Sequence, residues 1–177
     1  MGDCGRSQAL EPELLSTSLC LRAILYRGNE VAQRLKILLV EDSRADARLI
    51  IEVFKEEKIL VDVEVVRDGE QAMDFLHKRG EYSNAATPNL ILLDLNLPKK
   101  DGREVLAEVK GNTDLNSIPI IILTTSHSEE DILKSYKLNA SCYVTKPIDL
   151  EHFVKVIRSL DEFWFSAVKF PPETRLC

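Results

Sequence analysis

Short apolar runs recur along the chain from residue 36 onward, and polar residues follow each of them. Three runs, at 37–40, 90–93 and 120–123, are continuously apolar, which predicts strands buried on both faces of a sheet. The stretch from Leu60 to Val66 alternates apolar and polar residues, so it predicts a strand nearer the edge. A fifth and shorter strand is predicted from Ser141 to Val144.

Segments with helix-capping residues separate the predicted strands. Ser43 and Asp46 fit a capping box that opens a helix running to about Glu57. Because strands and helices alternate five times, the pattern predicts an α/β fold, with a parallel sheet covered by helices on both faces. The capping or first residues of the five predicted helices are Ser43, Asp68, Gly102, Ser128 and Asp149.

Composition and charge narrow the possible functions. The chain has 177 residues, of which 45% are hydrophobic, and this is enough for one core. Its net charge of -6 argues against non-specific binding to nucleic acid, which depends on Lys and Arg neutralising phosphates. No apolar run has the length needed to span a bilayer. We therefore expect a cytoplasmic protein that binds neither nucleic acid nor membrane.

The same pattern divides the chain into three parts. Residues 1–35 lack the regular alternation and are predicted to be an N-terminal extension, either flexible or helical. An upstream start codon is a third explanation for this segment. Residues 36–170 form the predicted domain, and Pro171 and Pro172 open a C-terminal tail at 171–177.

Charged and hydroxyl side chains stand at the ends of four of the predicted strands. In an open parallel sheet, ligands bind beyond the carboxyl ends of the strands, so these side chains are expected to meet at one edge. Carboxylates suit Mg2+, which prefers oxygen ligands and often links protein carboxylates to a phosphate. A lysine and a hydroxyl beside them favour a site for a divalent metal and a phosphoryl group. The residues concerned are Glu41, Asp42, Asp94, Thr124 and Lys146.

Two interpretations of Asp94 are open at this point. A carboxylate at the end of a buried strand is costly unless it is paired, and Lys146 is the obvious partner. Alternatively, Asp94 is a nucleophile that forms an aspartyl-phosphate, while metal and lysine neutralise the charge of the transferring group. Lys146 precedes Pro147, which restricts Lys146 to extended backbone and makes their peptide bond a candidate for the cis form.

The order Glu41-Asp42, Asp94, Thr124, Lys146-Pro147 resembles the receiver domain of two-component response regulators. The resemblance implies a flavodoxin-like (βα)5 fold, with a doubly wound five-stranded parallel sheet in the order 2-1-3-4-5. By the same resemblance, Asp94 is the phosphoacceptor, and Thr124 and Lys146 contact the phosphoryl group. Tyr143 matches the aromatic switch position, which is coupled to Thr124. The implied ligands of Mg2+ are Glu41, Asp42, Asp94 and the backbone carbonyl of Asn96.

This resemblance also implies a function. The protein would be a phosphoprotein of a phosphorelay, which takes a phosphoryl group from a histidine kinase and signals by a conformational or dimerisation switch. A homodimer through the last helices and strand is expected. Beyond self-catalysed phosphotransfer and autodephosphorylation, it would not be an enzyme. The segments 94–102, 123–126 and 161–172 resemble the single-domain regulators that serve bacterial phytochromes, so a bacteriophytochrome is the expected kinase.

Two other functions fit parts of the pattern. A magnesium-dependent phosphatase with an aspartyl nucleophile often has a second Asp two residues later as general acid, but Asn96 stands there. A scaffold receiver that binds partners without phosphorylation would not need the full set of charged residues.

Asn139 stands where receivers often carry Gly, and Asn tolerates a left-handed backbone, so this departure leaves the resemblance intact.

Overall fold

A computed structural model describes residues 34–146 and 150–160, without the side chains of Leu150, Phe153 and Leu160. Within these residues five strands alternate with five helices, and a 3-10 turn lies at Gly80–Tyr82. The strands are β1 (Leu35–Val40), β2 (Val61–Val66), β3 (Leu90–Leu93), β4 (Ile120–Thr124) and β5 (Cys142–Thr145). The helices are α1 (Arg44–Glu56), α2 (Gly69–Leu76), α3 (Gly102–Gly111), α4 (Glu129–Lys137) and α5 (Leu150–Leu160).

The five strands form one parallel sheet in the order β2-β1-β3-β4-β5. The predicted α/β fold and the strand order implied by the resemblance are both confirmed. From β1 the chain first winds outward to β2, and it then crosses to β3 on the other side. The carboxyl ends of β1 and β3 therefore flank the switch point, where open α/β sheets bind ligands.

Alternate residues of the central strands pack against different helices. In β1, Ile37 and Leu39 join a core with residues of α1 and α5, whereas Leu38 and Val40 join a core with residues of α2 and α3. Strands β3 and β4 divide between the two cores in the same way. Because both faces are covered, these strands are apolar at every position, which is why they were readable in the sequence. The edge strand β2 alternates as predicted, and its Asp62 is exposed.

The predicted capping box at the start of α1 is half wrong. The Ser43 hydroxyl accepts a hydrogen bond from the Asp46 N–H at 3.2 Å, as expected. The Ser43 N–H, however, donates to Glu41 at 3.2 Å, because that carboxylate turns back over the start of the helix. A complete capping box forms instead at α3, between Asp101 and Glu104.

Residues with a left-handed backbone follow three of the helices, and the first of them is Lys58 after α1, with a φ of 57°. Helix α2 stops at Leu76, slightly before the predicted end, and Lys78 then adopts a φ of 55°. Asn139 follows α4 with a φ of 61°, which confirms the expected left-handed backbone at this position. None of the helices described in 34–146 and 150–160 is long and apolar enough to cross a bilayer.

Several predictions concern residues outside the described ranges. They are the N-terminal extension at 1–35, apart from its last two residues, and the tail at 171–177. The helix cap at Asp149, the cis candidate at Lys146-Pro147 and the signature at 161–172 also involve residues that the structure does not describe. These remain predictions.

Candidate metal and phosphoryl site

The strand register brings the predicted site residues to one edge of the sheet. Val40 pairs with Leu93, so the next residues, Glu41 and Asp94, leave the sheet side by side. The Asp94 N–H donates to the Val40 carbonyl at 3.0 Å and fixes this exit. On the other side of β3, the Lys146 N–H donates to the carbonyl of Thr124 at 2.7 Å.

Lys146 is the centre of the charged site. Its Nζ donates to Glu41 Oε2 at 2.5 Å, to Asp94 Oδ2 at 2.6 Å and to Asp46 Oδ2 at 3.2 Å. An ammonium group has three N–H donors, so each has a carboxylate acceptor. The side chains of Lys146, Glu41 and Asp94 are all at least nine-tenths buried. The pairing of Asp94 with Lys146, one of the two interpretations considered, is therefore present.

Asp46 is a site residue that sequence reasoning missed. The sequence indicated only a helix cap, but Asp46 is the third residue of α1, whose first turn lies beside the carboxyl end of β1. Its carboxylate is half-exposed and contacts Lys146 from the solvent side. The position of Asp46 could have indicated this role, because it lies in the first turn of a helix that directly follows a charged strand end.

Three carboxylates converge next to the lysine. One oxygen each of Glu41, Asp42 and Asp94 lies within 4.8 Å of the others. Asp42 is exposed, whereas Glu41 and Asp94 are buried, so the group opens to solvent on one side. Hard oxygen donors at this spacing fit Mg2+, which binds through one or two carboxylates and keeps several waters.

Burial and charge perturb the pKa values of this group. Burial raises the pKa of Glu41 to about 7, against the lowering effect of its hydrogen bond to Lys146. Burial alone would lower the pKa of Lys146, but hydrogen bonds to Asp94 and Glu41 outweigh burial and raise it. Lys146 therefore stays cationic. A further positive charge beside Glu41 would stabilise the ionised form of its carboxylate.

Close packing holds the loop after Asp94 in place. The Asn96 N–H donates to Asp94 Oδ1 at 3.0 Å, and the Gly102 N–H donates to the carbonyl of Leu95 at 3.0 Å. A side chain on Gly102 would collide with the Asp94 carbonyl oxygen and come within 2.7 Å of the Leu95 Cα. Glycine is therefore required where α3 begins, so that the helix can approach the strand end.

Thr124 lies at the same edge but on the opposite face of the sheet. It continues the row of Ile120 and Ile122 in β4, which face α2 and α3. Its buried Oγ1 accepts hydrogen bonds from Asn96 Nδ2 and from the Ser126 N–H, both at 3.4 Å. The structure thus brings Thr124 close to the loop that carries Asp94.

Tyr143 connects to Thr124 through an intermediate residue. The half-buried Tyr143 packs against the α2–α3 core, and its hydroxyl donates to the Ser126 carbonyl at 3.0 Å. Since the Ser126 N–H contacts Thr124, the two predicted switch residues share Ser126 as a common neighbour.

The fold agrees with what comparison with known proteins finds. The sequence profile of the response regulator receiver domain matches residues 37–158, which include every site residue described above. The chain belongs to the response regulator receiver family. Three of the similar solved structures are those of phytochrome or bacteriophytochrome response regulators. This receiver is therefore related to phytochrome response regulators.

Three relatives illustrate the likeness. Response regulator Rcp1 from Synechocystis sp. is 54% identical over 135 residues, which are 76% of this chain and 92% of Rcp1. The crystal structure of its Mn2+-bound form has a TM-score of 0.74 at 53% identity, and the match covers 78% of this chain and 99% of that chain. The phosphorylated cyanobacterial phytochrome response regulator RcpA has a TM-score of 0.76 at 48% identity, with 79% and 100% covered. The bacteriophytochrome response regulator RtBRR has a TM-score of 0.64 at 42% identity, with 79% and 86% covered.

Proposed function

We propose that this receiver is a phosphorylation-driven switch that accepts a phosphoryl group from a histidine kinase on Asp94. The observation that carries the proposal is the Lys146 ammonium, buried between Glu41 and Asp94 beside a cluster of three carboxylates. A lysine that served only stability would need one carboxylate, and surplus buried negative charge would be unfavourable. Surplus oxygen ligands beside a lysine suit a metal ion and a transferring phosphoryl group.

The proposed reaction is a phosphoryl transfer between side chains. A carboxylate oxygen of Asp94 attacks the phosphorus of a phosphohistidine on the kinase. The P–O bond to Asp94 forms as the P–N bond to histidine breaks, and the electron pair leaves with the imidazole, which takes a proton from water. Lys146 neutralises charge on the phosphoryl oxygens, and the Thr124 hydroxyl donates a hydrogen bond to one of them.

Glu41, Asp42, Asp94 and the backbone carbonyl of Asn96 would hold Mg2+ in this reaction. When bound, Mg2+ neutralises charge on the carboxylates and on the transferring group. The convergence of the three carboxylates supports this assignment, as does the hydrogen bond that keeps Asn96 against Asp94.

Thr124 and Tyr143 would couple the phosphorylation of Asp94 to a change at the protein surface. Both contact Ser126, so a shift of Thr124 toward the phosphoryl group changes the loop whose carbonyl holds the Tyr143 hydroxyl. The surface of α4, β5 and α5 then changes its affinity for a partner. In this way a local change of charge at Asp94 shifts the equilibrium between two conformations of the protein.

The site is proposed to store a phosphoryl group and not to act as a turnover phosphatase. A phosphatase of the alternative class would place a general acid two residues after its nucleophile. That residue is Asn96, whose side-chain amide donates to Thr124 Oγ1. A neutral amide cannot supply the proton that such an acid gives.

Phosphotransfer from a panel of histidine kinases, including a phytochrome kinase, tests the donor. We expect radiolabelled phosphoryl to move rapidly from the phytochrome kinase to this protein in Mg2+, and not in EDTA, because the carboxylates need a cation to accept more negative charge. Such an exchange would take place in the cytoplasm. Equal transfer from unrelated kinases would contradict the phytochrome assignment, and absence of transfer from every kinase would contradict the phosphoacceptor role.

We also propose that the switch controls a homodimer formed through α4, β5 and α5. Leu133 and Tyr136 on α4 are 61% and 51% exposed, and their spacing places them on one side of the helix. Leu133→Glu should therefore reduce phosphorylation-dependent dimerisation at least about tenfold, by placing a charge in the interface. Sedimentation velocity measures this, with Leu60→Glu as a control, since Leu60 is 57% exposed just before β2. Equal dimerisation of both variants would exclude this interface.

A further inference from the structure

A bidentate ion pair joins the first turns of α3 and α4. Arg103 Nε donates to Asp131 Oδ1 at 2.8 Å, and Arg103 Nη2 donates to Asp131 Oδ2 at 2.6 Å. Arg103 Nη1 also donates to Asp101, the N-cap of α3, at 2.9 Å. The Asp131 side chain is only 14% exposed. Paired hydrogen bonds of this kind fix relative orientation as well as distance.

Asp131 extends this ion pair to the loop after β4. The Ser126 hydroxyl donates to Asp131 Oδ2 at 2.6 Å. The backbone of the same residue contacts both predicted switch residues, since its N–H donates to Thr124 Oγ1 and its carbonyl accepts from Tyr143. Ser126 is thus held through its side chain while its backbone orients Thr124.

The hydrogen bonds to Thr124 decide which role its hydroxyl can play. A hydroxyl group has one donor and two acceptor lone pairs. The Asn96 amide and the Ser126 N–H both donate to Thr124 Oγ1, so its acceptor capacity is used. The Thr124 O–H is left to act as a donor. A phosphoryl oxygen on Asp94 would be an acceptor for this hydrogen bond.

We infer that Arg103 and Asp131 are positioning residues, which fix Ser126 and thereby orient the Thr124 hydroxyl as a donor to the phosphoryl group. This inference rests on the proposed function of Asp94 as phosphoacceptor. Neither residue touches the carboxylate cluster. The hydrogen bonds from Arg103 and Ser126 lower the pKa of Asp131 to about 2, so the ion pair is intact at neutral pH.

Binding of beryllofluoride, a phosphoryl analogue, tests the inference when followed by 19F NMR in the presence of Mg2+. Asp131→Ala should weaken beryllofluoride binding about tenfold, the lower end of what loss of supporting residues around an ion site costs. Its Mg2+ affinity in the absence of beryllofluoride should match that of the wild type, because Glu41, Asp42 and Asp94 are unchanged. A merely structural role would lower thermal stability and leave beryllofluoride binding unaffected, and this result would overturn the inference.

Two further variants sharpen the test. Glu57→Ala removes another bidentate ion pair, with Arg158 at 2.7 and 3.0 Å, on the far side of the domain, and should bind beryllofluoride normally. Ser126→Ala deletes one hydroxyl, keeps the backbone, and should match Asp131→Ala. The double variant of Ser126 and Asp131 should be no worse than either single variant, since both act on one path. If the double variant binds beryllofluoride more weakly than either single variant, by the product of their two effects, the inference is overturned.

The wild type separates failure of the inference from failure of the proposed function. If the wild type binds beryllofluoride and the Asp131 and Ser126 variants bind it equally well, only the positioning role is wrong. If the wild type shows no Mg2+-dependent binding of beryllofluoride, the phosphoacceptor role of Asp94 fails, and the positioning role fails with it.

Discussion

Asp94→Asn should abolish phosphorylation of this protein by acetyl phosphate in Mg2+. The amide has the shape of the carboxylate but lacks its negative charge, so it is a poor nucleophile toward phosphorus and a poor metal ligand. Intact-mass spectrometry should show the added mass of one phosphoryl group on the wild type. The variant should remain at background.

Asp46→Asn is the matched control for this experiment. Asp46 also accepts a hydrogen bond from Lys146, but the three converging carboxylates do not include it. This control should therefore still be labelled on Asp94. Equal labelling of the wild type and Asp94→Asn would mean that the acceptor lies elsewhere, and loss of labelling in Asp46→Asn as well would mean that the reaction also needs Asp46.

Lys146→Ala should destabilise the protein strongly in EDTA, by about 3–5 kcal/mol, because it leaves Glu41 and Asp94 buried without their cation. Mg2+ should restore much of this loss, since a divalent cation can replace the ammonium beside the carboxylates. Denaturant unfolding in EDTA and in Mg2+ measures both effects. The variant should still bind Mg2+, yet fail to show the phosphorylation-dependent shift in size-exclusion elution.

The loss of stability caused by Lys146→Ala should increase with pH. The folded-state pKa of Glu41 is already raised from 4.5 to about 7, so the folded protein binds more protons than the unfolded chain in this window. Stability from this group falls as pH rises from about 4.5 to 7. Without Lys146 the effect grows, so the variant should lose more stability at pH 8 than at pH 5.

Lys99→Ala provides the control for the lysine experiment. Lys99 pairs with the buried Asp68 at 2.7 Å, so its loss also leaves a buried carboxylate without its lysine. Asp68 is not one of the three converging carboxylates. Mg2+ should therefore leave the stability of this variant unchanged. Equal rescue of both variants by Mg2+ would show that the metal acts on the fold generally and not at the proposed site.

The central strands and the site edge could be predicted because their causes are local. Burial on both faces makes a strand continuously apolar, and a charged residue after such a run marks its exit. Parallel pairing then brings Glu41 and Asp94 together without further information. The strand order had a different source, since alternation alone indicates a parallel sheet, and the order came from the resemblance of the motifs.

Contacts between elements could not be predicted in the same way. Arg103 and Asp131 are 28 residues apart, and nothing within either helix shows that their first turns face each other. Asp46 was explained as a cap because a helix terminus and a charge partner use the same residue type. Ser43 formed only half of its capping box because Glu41, two residues earlier, competes for its N–H.

The alternation of side chains along the strands has a consequence for how receivers of this kind diversify. Glu41, Asp94 and Lys146 continue the rows that face α1 and α5, whereas Thr124 and Tyr143 continue the rows that face α2 and α3. Thr124 therefore meets the residues around Asp94 only at the end of the sheet, where the two faces come together. Substitutions beside Tyr143 can change the response of a receiver to phosphorylation without changing the carboxylates and the lysine around Asp94.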